Sequence, residues 1–179
     1  ALLGFGVVGS GVYEWCRDRE DLHVTRVLVR SPKPAVADIS TTDFNDIVSD
    51  PAIDLVAEVM GGLHPAYEYV TAAMKAGKHV VTANKALIAA YYTELTSLAR
   101  EMGVGLLCTA AVGGGIPALR PIQLCLSANR ISEAMGVVNG TTNYILTAME
   151  KSGAAFADAL ATAQQLGYAE QDPSADILG

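Results

Sequence analysis

The chain has 179 residues, which suits one large domain or one domain with part of a second. Hydrophobic residues make up 51% of the sequence and charged residues 17%. This composition predicts a substantial buried core and argues against a disordered chain. The net charge of −7 argues against nucleic acid and anionic membranes as partners, and no apolar run reaches the length of a membrane span.

In the first part of the chain, short apolar runs alternate with amphipathic segments, as in βαβ units. Strands are predicted over residues 1–3, 22–29, 53–59, 78–82 and 104–110. Helices are predicted over residues 8–19, 43–49, 64–76 and 85–102, the second of them capped by Thr41 or Thr42 and the last two ended by Gly77 and Gly103. We therefore predict an α/β fold with a doubly wound parallel sheet over residues 1–110.

The pattern changes at a Gly- and Pro-rich junction, residues 112–121, and we place a domain boundary near residue 110. A helix is predicted from Pro117 to about Ala128, a strand over residues 131–138, helices over 141–151 and 154–166, and a loop over 167–174. Residues 111–179 are thus predicted to begin a second domain. The chain opens inside an apolar run and closes at Gly179 without a polar tail, so we expect both ends to be cuts through structure.

The cysteines are odd in number and scattered, at Cys16, Cys108 and Cys125. Their spacing matches no metal site. This usage predicts buried, reduced thiols in a cytoplasmic protein.

A glycine-rich motif, Gly4-Phe5-Gly6-Val7-Val8-Gly9, follows the first strand and opens a helix. It fits the G-x-G-x-x-G fingerprint, in which the first glycine permits a tight turn, the second lets a pyrophosphate approach the backbone, and the third lets helix and strand pack closely. The N–H groups of the helix start favour phosphate. The motif alone could be an ordinary glycine turn, but in this context it predicts a Rossmann-type dinucleotide site formed by all six residues.

Cofactor choice is indicated at the end of the second predicted strand. An NAD site usually carries an acidic residue there for the ribose 2′-hydroxyl. This chain has Arg30, followed by Ser31 and Lys33. Two cations and no carboxylate favour a 2′-phosphate, so NADP is preferred over NAD, although Arg30 could also be a solvated surface residue.

Further segments resemble homoserine dehydrogenase and follow one another in that family's order. They are Glu58–Gly62, Gly77–Lys85, Gly113–Pro117 with Asn139–Leu146, and Leu166–Pro173 with Ser174–Asp176. The resemblance implies the reversible NAD(P)-dependent oxidation of L-homoserine to L-aspartate 4-semialdehyde, in the biosynthesis of threonine and methionine. It also implies a Rossmann domain followed by an α+β, mixed-sheet substrate domain, in a homodimer or homotetramer.

Lys85 directly follows a predicted strand, at the sheet edge where open α/β folds bind ligands. There a lysine can hydrogen-bond the cofactor or the reacting oxygen and take part in proton transfer, or it can simply point to solvent. Met60 and Gly61 also end a strand, where they either contact the cofactor or only turn the chain.

The resemblance implies that Glu170 binds the ammonium group of homoserine and that Asp176 is a carboxylate of the same site. Gly167 resembles a cofactor-contacting glycine. Asn139, Gly140 and Thr141 resemble a substrate-binding segment, although a helix cap at Thr141 or Thr142 would also explain them. Lys85, Glu170 and Asp176 are therefore the predicted catalytic residues.

A monovalent-cation site of the family is formed mostly by backbone carbonyls. Val112, Gly114 and Ile116 match those positions, but Thr109 stands where the family has a glutamate, which weakens the expectation of sodium. The family's last catalytic Asp and Lys lie beyond Gly179, so we expect this chain to bind cofactor but to turn over poorly by itself.

Two alternatives remain at this stage. One is another Rossmann oxidoreductase that acts on a different carbonyl compound derived from an amino acid. The other is a non-catalytic dinucleotide-binding protein, which would not require Lys85 and Glu170.

Overall fold

The structure, a computed structural model, describes residues 1–169 and 173–177. The chain divides into two compact units, residues 1–125 and residues 126–179. This division falls after the Gly- and Pro-rich junction, residues 112–121, from which the domain boundary near residue 110 was predicted. That boundary stays a prediction.

The first unit is built on one parallel sheet, to which six strands contribute within the described residues. The strands are β1 (Leu2–Leu3), β2 (Val27–Leu28), β3 (Ser40–Thr41), β4 (Leu55–Glu58), β5 (His79–Thr82) and β6 (Leu106–Leu107). Their order across the sheet is β3-β2-β1-β4-β5-β6, and each neighbouring pair is parallel. This is the strand order of the Rossmann fold, so the predicted fold class is confirmed for this unit.

Helices connect the strands of this unit. They are α1 (Val7–Arg17), α2 (Asn45–Val48), α3 (Ala66–Lys75), α4 (Lys85–Met102) and, after the sheet, α5 (Leu119–Leu124), with 3₁₀ turns at Pro34–Ile39 and Thr109–Ala111. Helices α3 and α4 end next to Gly77 and at Gly103, as predicted. The cap predicted for α2 is wrong, because Phe44 precedes that helix without a side-chain cap bond.

The core lies on both faces of the sheet, because side chains alternate along each strand. Leu3, Val56 and Val80 are buried on one face with residues of α3 and α4, including Met74 and Leu87. The opposite face holds a second cluster, formed by Leu2, Val27, Val29, Val36 and Ala57. Strands buried on both faces account for the continuous apolar runs of the sequence.

The predictions from sequence were wrong for two parts of this unit. The strand predicted over 22–29 is paired only at Val27–Leu28, and β3 was not predicted. Strand β3 has only two residues, Ser40 and Thr41, which carry no apolar alternation. It is held by pairing with β2, a non-local contact that no local pattern records.

The second unit contains three described helices, α6 (Gly140–Ser152), α7 (Phe156–Gln165) and α8 (Ser174–Ile177). Helices α6 and α7 pack through a small core in which Ile145 meets Ala159 and Ala163. The cap of α6 is Asn139, whose side-chain oxygen accepts a 3.0 Å hydrogen bond from the N–H of Thr142. The expectation that Thr141 or Thr142 caps this helix is therefore wrong.

The strand predicted over residues 131–138 does not form, and the described residues of this unit contain no strand. Met135 and Val138 are 92% and 96% exposed. A strand is stabilised by hydrogen bonds to a neighbouring strand, and no described residue of this unit provides one. The described part of the unit is thus helical, and the mixed sheet of the substrate domain stays a prediction.

The cysteines are free of disulfides, but only Cys16 is buried, and Cys125 is exposed. The expectation of buried thiols is therefore wrong for Cys125. Partial burial raises the pKa of the Cys108 thiol. Within the described residues, no helix has both the length and the apolar character needed to cross a membrane.

Candidate dinucleotide site

A tight turn joins β1 to α1 and begins with Gly4. Gly4 has a φ of 103°, in the region that favours glycine, and a Cβ there would lie 3.1 Å from the carbonyl oxygen of Val59. The N–H of Gly4 still donates to the carbonyl of Leu28, which ties the turn to β2. The turn therefore starts inside the sheet and is fixed by both neighbouring strands.

The third glycine of the motif brings helix and strand into close contact. A Cβ on Gly9 would lie 2.4 Å from the carbonyl oxygen of Gly4, a distance that no side chain tolerates. Gly6 is different: a Cβ there meets no heavy atom within 4 Å. The backbone at Gly6 is accordingly open, while the first-turn N–H groups of α1 have no partner within the helix.

A cleft of about 810 Å³ lies in front of this turn. It runs along the carboxyl ends of β2, β1 and β4. The residues that line it are Gly4, Phe5, Gly6, Leu28, Val29, Arg30, Ser31, Lys33, Thr42, Val59, Met60, Gly61, His64, Pro65 and Tyr69. Strand order reverses next to β1, and ligands of open α/β sheets bind at such a point.

Seven of the predicted cofactor residues line this cleft. They are Gly4, Phe5, Gly6, Arg30, Lys33, Met60 and Gly61. Val7, Val8 and Gly9 form the first turn of α1 directly after them. Lys85 is an exposed residue at the start of α4 and does not belong to the lining.

The charge of the cleft is positive at its β2 end. Arg30 and Lys33 are both exposed there, and none of the described lining residues is acidic. At the other end, Nδ1 of His64 lies 2.7 Å from Oε1 of Glu68 in α3. A backbone hydrogen bond within Glu68, followed by the bond to His64, lowers the pKa of the Glu68 carboxyl.

A group of buried polar residues, which we call the carboxyl-edge cluster, was missed in the sequence. It consists of Glu58 at the end of β4, Thr82 at the end of β5, and Asn84, the residue before α4. All three are buried, and the hydroxyl of Thr82 donates a 2.6 Å hydrogen bond to Oε2 of Glu58. A glutamate in an otherwise apolar strand was the available signal, because a buried charge requires partners.

In the second unit, three of the predicted substrate residues meet. Nδ2 of Asn139 donates to Oδ1 of Asp176 at 2.9 Å, and the hydroxyl of Thr141 lies 3.2 Å from Oδ2 of the same carboxylate. The Thr141 hydroxyl is also 2.6 Å from the carbonyl of Tyr168. The structure thus brings together Asn139, Thr141 and Asp176, which we call the Asp176 cluster, with Gly140 opening α6 between the first two.

Glu170 lies outside the described residues. Gly167, with a φ of 79°, ends α7, where the N–H of Tyr168 bonds the carbonyl of Ala163 and the N–H of Gly167 bonds that of Gln164. This is a Schellman motif, which by itself accounts for a glycine at position 167.

The proposed cation ligands lie in an exposed irregular turn between Val112 and Ile116. The N–H of Ile116 donates to the carbonyl of Gly113, and the carbonyl of Ile116 accepts from the N–H of Ala118. One of the three proposed ligand carbonyls therefore already has a hydrogen-bond partner. No cluster of three or more His, Cys, Asp or Glu side chains suited to a metal occurs among the described residues.

The strand order, the glycine turn and the open cleft together define a dinucleotide-binding domain of the Rossmann class. The family described as "Homoserine dehydrogenase, NAD binding domain" matches residues 4–109, and the family described as "Homoserine dehydrogenase" matches residues 117–179. The chain therefore belongs to the homoserine dehydrogenase family.

Known proteins agree with this assignment. The chain is 48% identical to a homoserine dehydrogenase of Synechocystis and 42% identical to one of Bacillus subtilis, in each case over 99% of the chain. It spans 44% of the length of each of these relatives.

Solved structures are similar to nearly the whole chain. A homoserine dehydrogenase from Thiobacillus denitrificans matches 98% of the chain with a TM-score of 0.88 and 44% identity, and the match covers 44% of that protein. A hyperthermophilic archaeal homoserine dehydrogenase in complex with NADPH matches with a TM-score of 0.76 and 28% identity, over 98% of this chain and 63% of the other. The NAD-binding family match and this NADPH complex support a nicotinamide dinucleotide as the ligand.

Proposed function

We propose that this chain is the dinucleotide-binding part and the beginning of the substrate-binding part of a homoserine dehydrogenase. The enzyme oxidises L-homoserine reversibly to L-aspartate 4-semialdehyde, in a cytoplasmic pathway of amino-acid biosynthesis. The family matches support the choice of reaction, and the observation that carries dinucleotide binding is the contrast within the glycine motif, in which Gly4 and Gly9 are packed against backbone while Gly6 faces open space. Such a contrast is what a pyrophosphate requires of the turn.

The residues present fit a dinucleotide along the cleft. The first turn of α1 supplies N–H groups for the pyrophosphate, and the β2 end supplies Arg30 and Lys33 for the adenosine ribose. When bound, the nicotinamide supplies the hydride acceptor or donor. The chain's own residues bind and orient it.

NADP is the preferred cofactor in this proposal. Its 2′-phosphate requires cations, and the cleft carries Arg30 and Lys33 without an acidic lining residue among those described. An NAD site would instead require a carboxylate for the 2′-hydroxyl. The cofactor proposal therefore depends on charge at one end of the cleft and is separate from the choice of substrate.

For the substrate, we assign the Asp176 cluster and Glu170 to homoserine, with Glu170 as the partner of its ammonium group. Lys85 polarises the alcohol oxygen from the start of α4. Gly167 is proposed as a cofactor contact and Val112, Gly114 and Ile116 as carbonyl ligands of sodium. The active assembly is a homodimer or homotetramer.

The test of the cofactor assignment is a fluorescence titration of the chain with NADPH and with NADH. NADPH is expected to bind more tightly, and Arg30→Ala is expected to weaken NADPH about tenfold, the effect of losing one charge-assisted contact. Affinity for NADH should stay unchanged, which makes NADH the internal control. Tighter binding of NADH by the unaltered chain would overturn the preference for NADP.

The test of the reaction is the homoserine-dependent reduction of NADP⁺ by the gene product that carries this chain. Reduction with homoserine and not with other amino-acid alcohols is expected. Activity on a different amino-acid-derived alcohol would favour the other oxidoreductase. Dinucleotide binding without any turnover would favour a non-catalytic protein.

A further inference from the structure

The carboxyl-edge cluster consists of polar side chains, one of them a carboxylate, that are buried in the protein. Glu58 and Thr82 are fully buried and Asn84 is 4% exposed. Desolvating a carboxylate is costly unless donors surround it, and Glu58 is at the end of a strand that is otherwise apolar. A hydrophobic residue would fill this position at lower cost, so the glutamate calls for an explanation beyond packing.

Each oxygen of Glu58 has its own donor. Oε2 accepts from the Thr82 hydroxyl at 2.6 Å, across the register pair that joins β4 to β5. Oε1 accepts from the backbone N–H of Met60 at 2.8 Å. The carboxylate therefore fixes the first residue of the loop that follows Val59.

The same cluster also fixes the start of α4. The N–H of Asn84 donates to the Thr82 hydroxyl oxygen at 3.0 Å, and the Asn84 side-chain oxygen accepts from the N–H of Leu87 at 3.1 Å. The Asn84 amide nitrogen donates to the carbonyl of Gly62 at 2.6 Å and lies 3.4 Å from Oε1 of Glu58. One buried carboxylate thus links the loop over residues 60–62 to the residue before Lys85.

This loop forms one end of the cleft. Met60 and Gly61 line it on the β4 side, whereas Arg30 and Lys33 line it on the β2 side. In this topology the adenosine ribose is recognised at the end of β2 and the pyrophosphate at the start of α1. The other half of the dinucleotide accordingly extends towards the loop that Glu58 holds.

Building on the proposed function, we propose that Glu58 is a positioning residue for the nicotinamide half of the dinucleotide. It touches neither cofactor nor substrate. Through Met60, and through Thr82 and Asn84, it fixes the backbone on which that half rests. Loss of this linkage should weaken binding of the whole dinucleotide and leave binding of its adenosine half unchanged.

The experiment compares two probes, NADPH and adenosine 2′,5′-bisphosphate, which lacks the nicotinamide half. Glu58→Gln keeps the size of the side chain and an acceptor for Met60, but it places an amide N–H where the Thr82 hydroxyl donates. We expect the Kd of NADPH to rise about tenfold. The Kd of adenosine 2′,5′-bisphosphate should stay within about twofold of the unaltered chain.

Thr82 supplies a second pair of variants that does not alter the carboxylate. Thr82→Val removes the hydroxyl while keeping the shape of the side chain, and Thr82→Ser keeps the hydroxyl. The valine variant should follow Glu58→Gln, and the serine variant should behave as the unaltered chain. If Glu58→Gln fails to fold, this pair decides the question.

A matched control is Lys78→Met. Lys78 is buried, and its Nζ donates to the carbonyls of Asp50 and Ile53, next to the opposite, amino end of β5. This variant removes buried polar bonds without touching the carboxyl edge. It should leave the ratio of the two Kd values unchanged, even where it lowers the melting temperature.

The outcomes are distinct. If the unaltered chain binds neither probe, the proposed function fails and the positioning role fails with it. If the unaltered chain binds both, and Glu58→Gln and Thr82→Val weaken both equally or neither, the proposed function stands and the positioning role is wrong. A loss confined to NADPH supports it.

Discussion

The two units of the chain differ in how their apolar residues are covered. In residues 1–125, each central strand is buried on both faces, and buried residues such as Val56 and Val80 lie next to one another across the sheet. In residues 126–179, the described core is small, and the apolar stretch 131–138 is exposed. A parallel sheet with helices on both faces covers its own strands, whereas an apolar segment without a pairing strand stays exposed.

The largest effect is expected in the core of the second unit. Ile145→Ala should lower the free energy of unfolding of this unit by about 2–5 kcal/mol, because Ile145 is 1% exposed and fills the space between α6 and α7. Leu146, its neighbour, is 63% exposed, so Leu146→Ala is the control and should cost less than about 0.5 kcal/mol. Denaturant unfolding with hydrogen exchange measures both. Equal effects of the two variants would show that the second unit has no packed core.

The glycine turn of the first unit gives the next largest effect. Gly9→Ala places a methyl group 2.4 Å from the Gly4 carbonyl oxygen, so it should cost about 1–3 kcal/mol of stability and abolish NADPH binding. Gly11→Ala lies in the same helix and meets no atom within 4 Å. It should stabilise the protein by about 0.5–1 kcal/mol, since alanine is the better helix former. Thermal unfolding and NADPH titration of both variants check this, and a neutral Gly9→Ala would contradict the close packing of β1 and α1.

The Asp176 cluster offers an effect on stability of about the same size, in the second unit. Asp176→Ala leaves the Asn139 amide without its acceptor and should cost about 1–3 kcal/mol. Asp176→Asn keeps an acceptor for Asn139 and should cost less than about 1 kcal/mol. Thermal unfolding at pH 7 separates the two variants. Identical losses would mean that charge, and not hydrogen bonding, holds α8 to the start of α6.

The smallest effect is expected in the exposed segment over residues 131–138. Val137→Ser replaces a side chain that is 75% exposed, so the free energy of unfolding of the chain should change by less than about 0.5 kcal/mol. Hydrogen exchange should also be fast across 131–138 and slow in β4 and β5. A loss of more than about 1 kcal/mol would show that Val137 is packed in the folded chain and would remove the contrast between the units.

Predictions from sequence succeeded where the determining contacts are local. The glycine motif of residues 4–9, the helix ends at Gly77 and Gly103, and the alternation of strands and helices each follow from neighbouring residues, and the structure contains all of them. The predictions failed where contacts between residues distant in the sequence determine the secondary structure. Strand β3 is formed by pairing with β2, which no local pattern predicts. The apolar stretch 131–138 has the pattern of a strand, but no described residue of its unit pairs with it.

In the candidate site, too, features set by neighbouring residues were predicted and contacts between distant residues were missed. Arg30 and Lys33 were predicted from their place after a strand, and both line the cleft, while their role in binding the cofactor stays a prediction. The linkage of Glu58 to Thr82 depends on the register between β4 and β5, two strands that are separated in the sequence by α3. Only the presence of a glutamate in an apolar strand could have drawn attention to it.

The contact between Gly4 and Gly9 has a consequence for how cofactor use can diverge. Because neither position has room for a side chain, neither can evolve a contact that distinguishes one dinucleotide from another. Variation is left to the exposed residues after β2, where Arg30 and Lys33 can be exchanged without repacking the helix against the sheet. Under the proposed function, redesign of cofactor preference is therefore expected to need changes only at residues 30–33, with the glycine turn left unchanged.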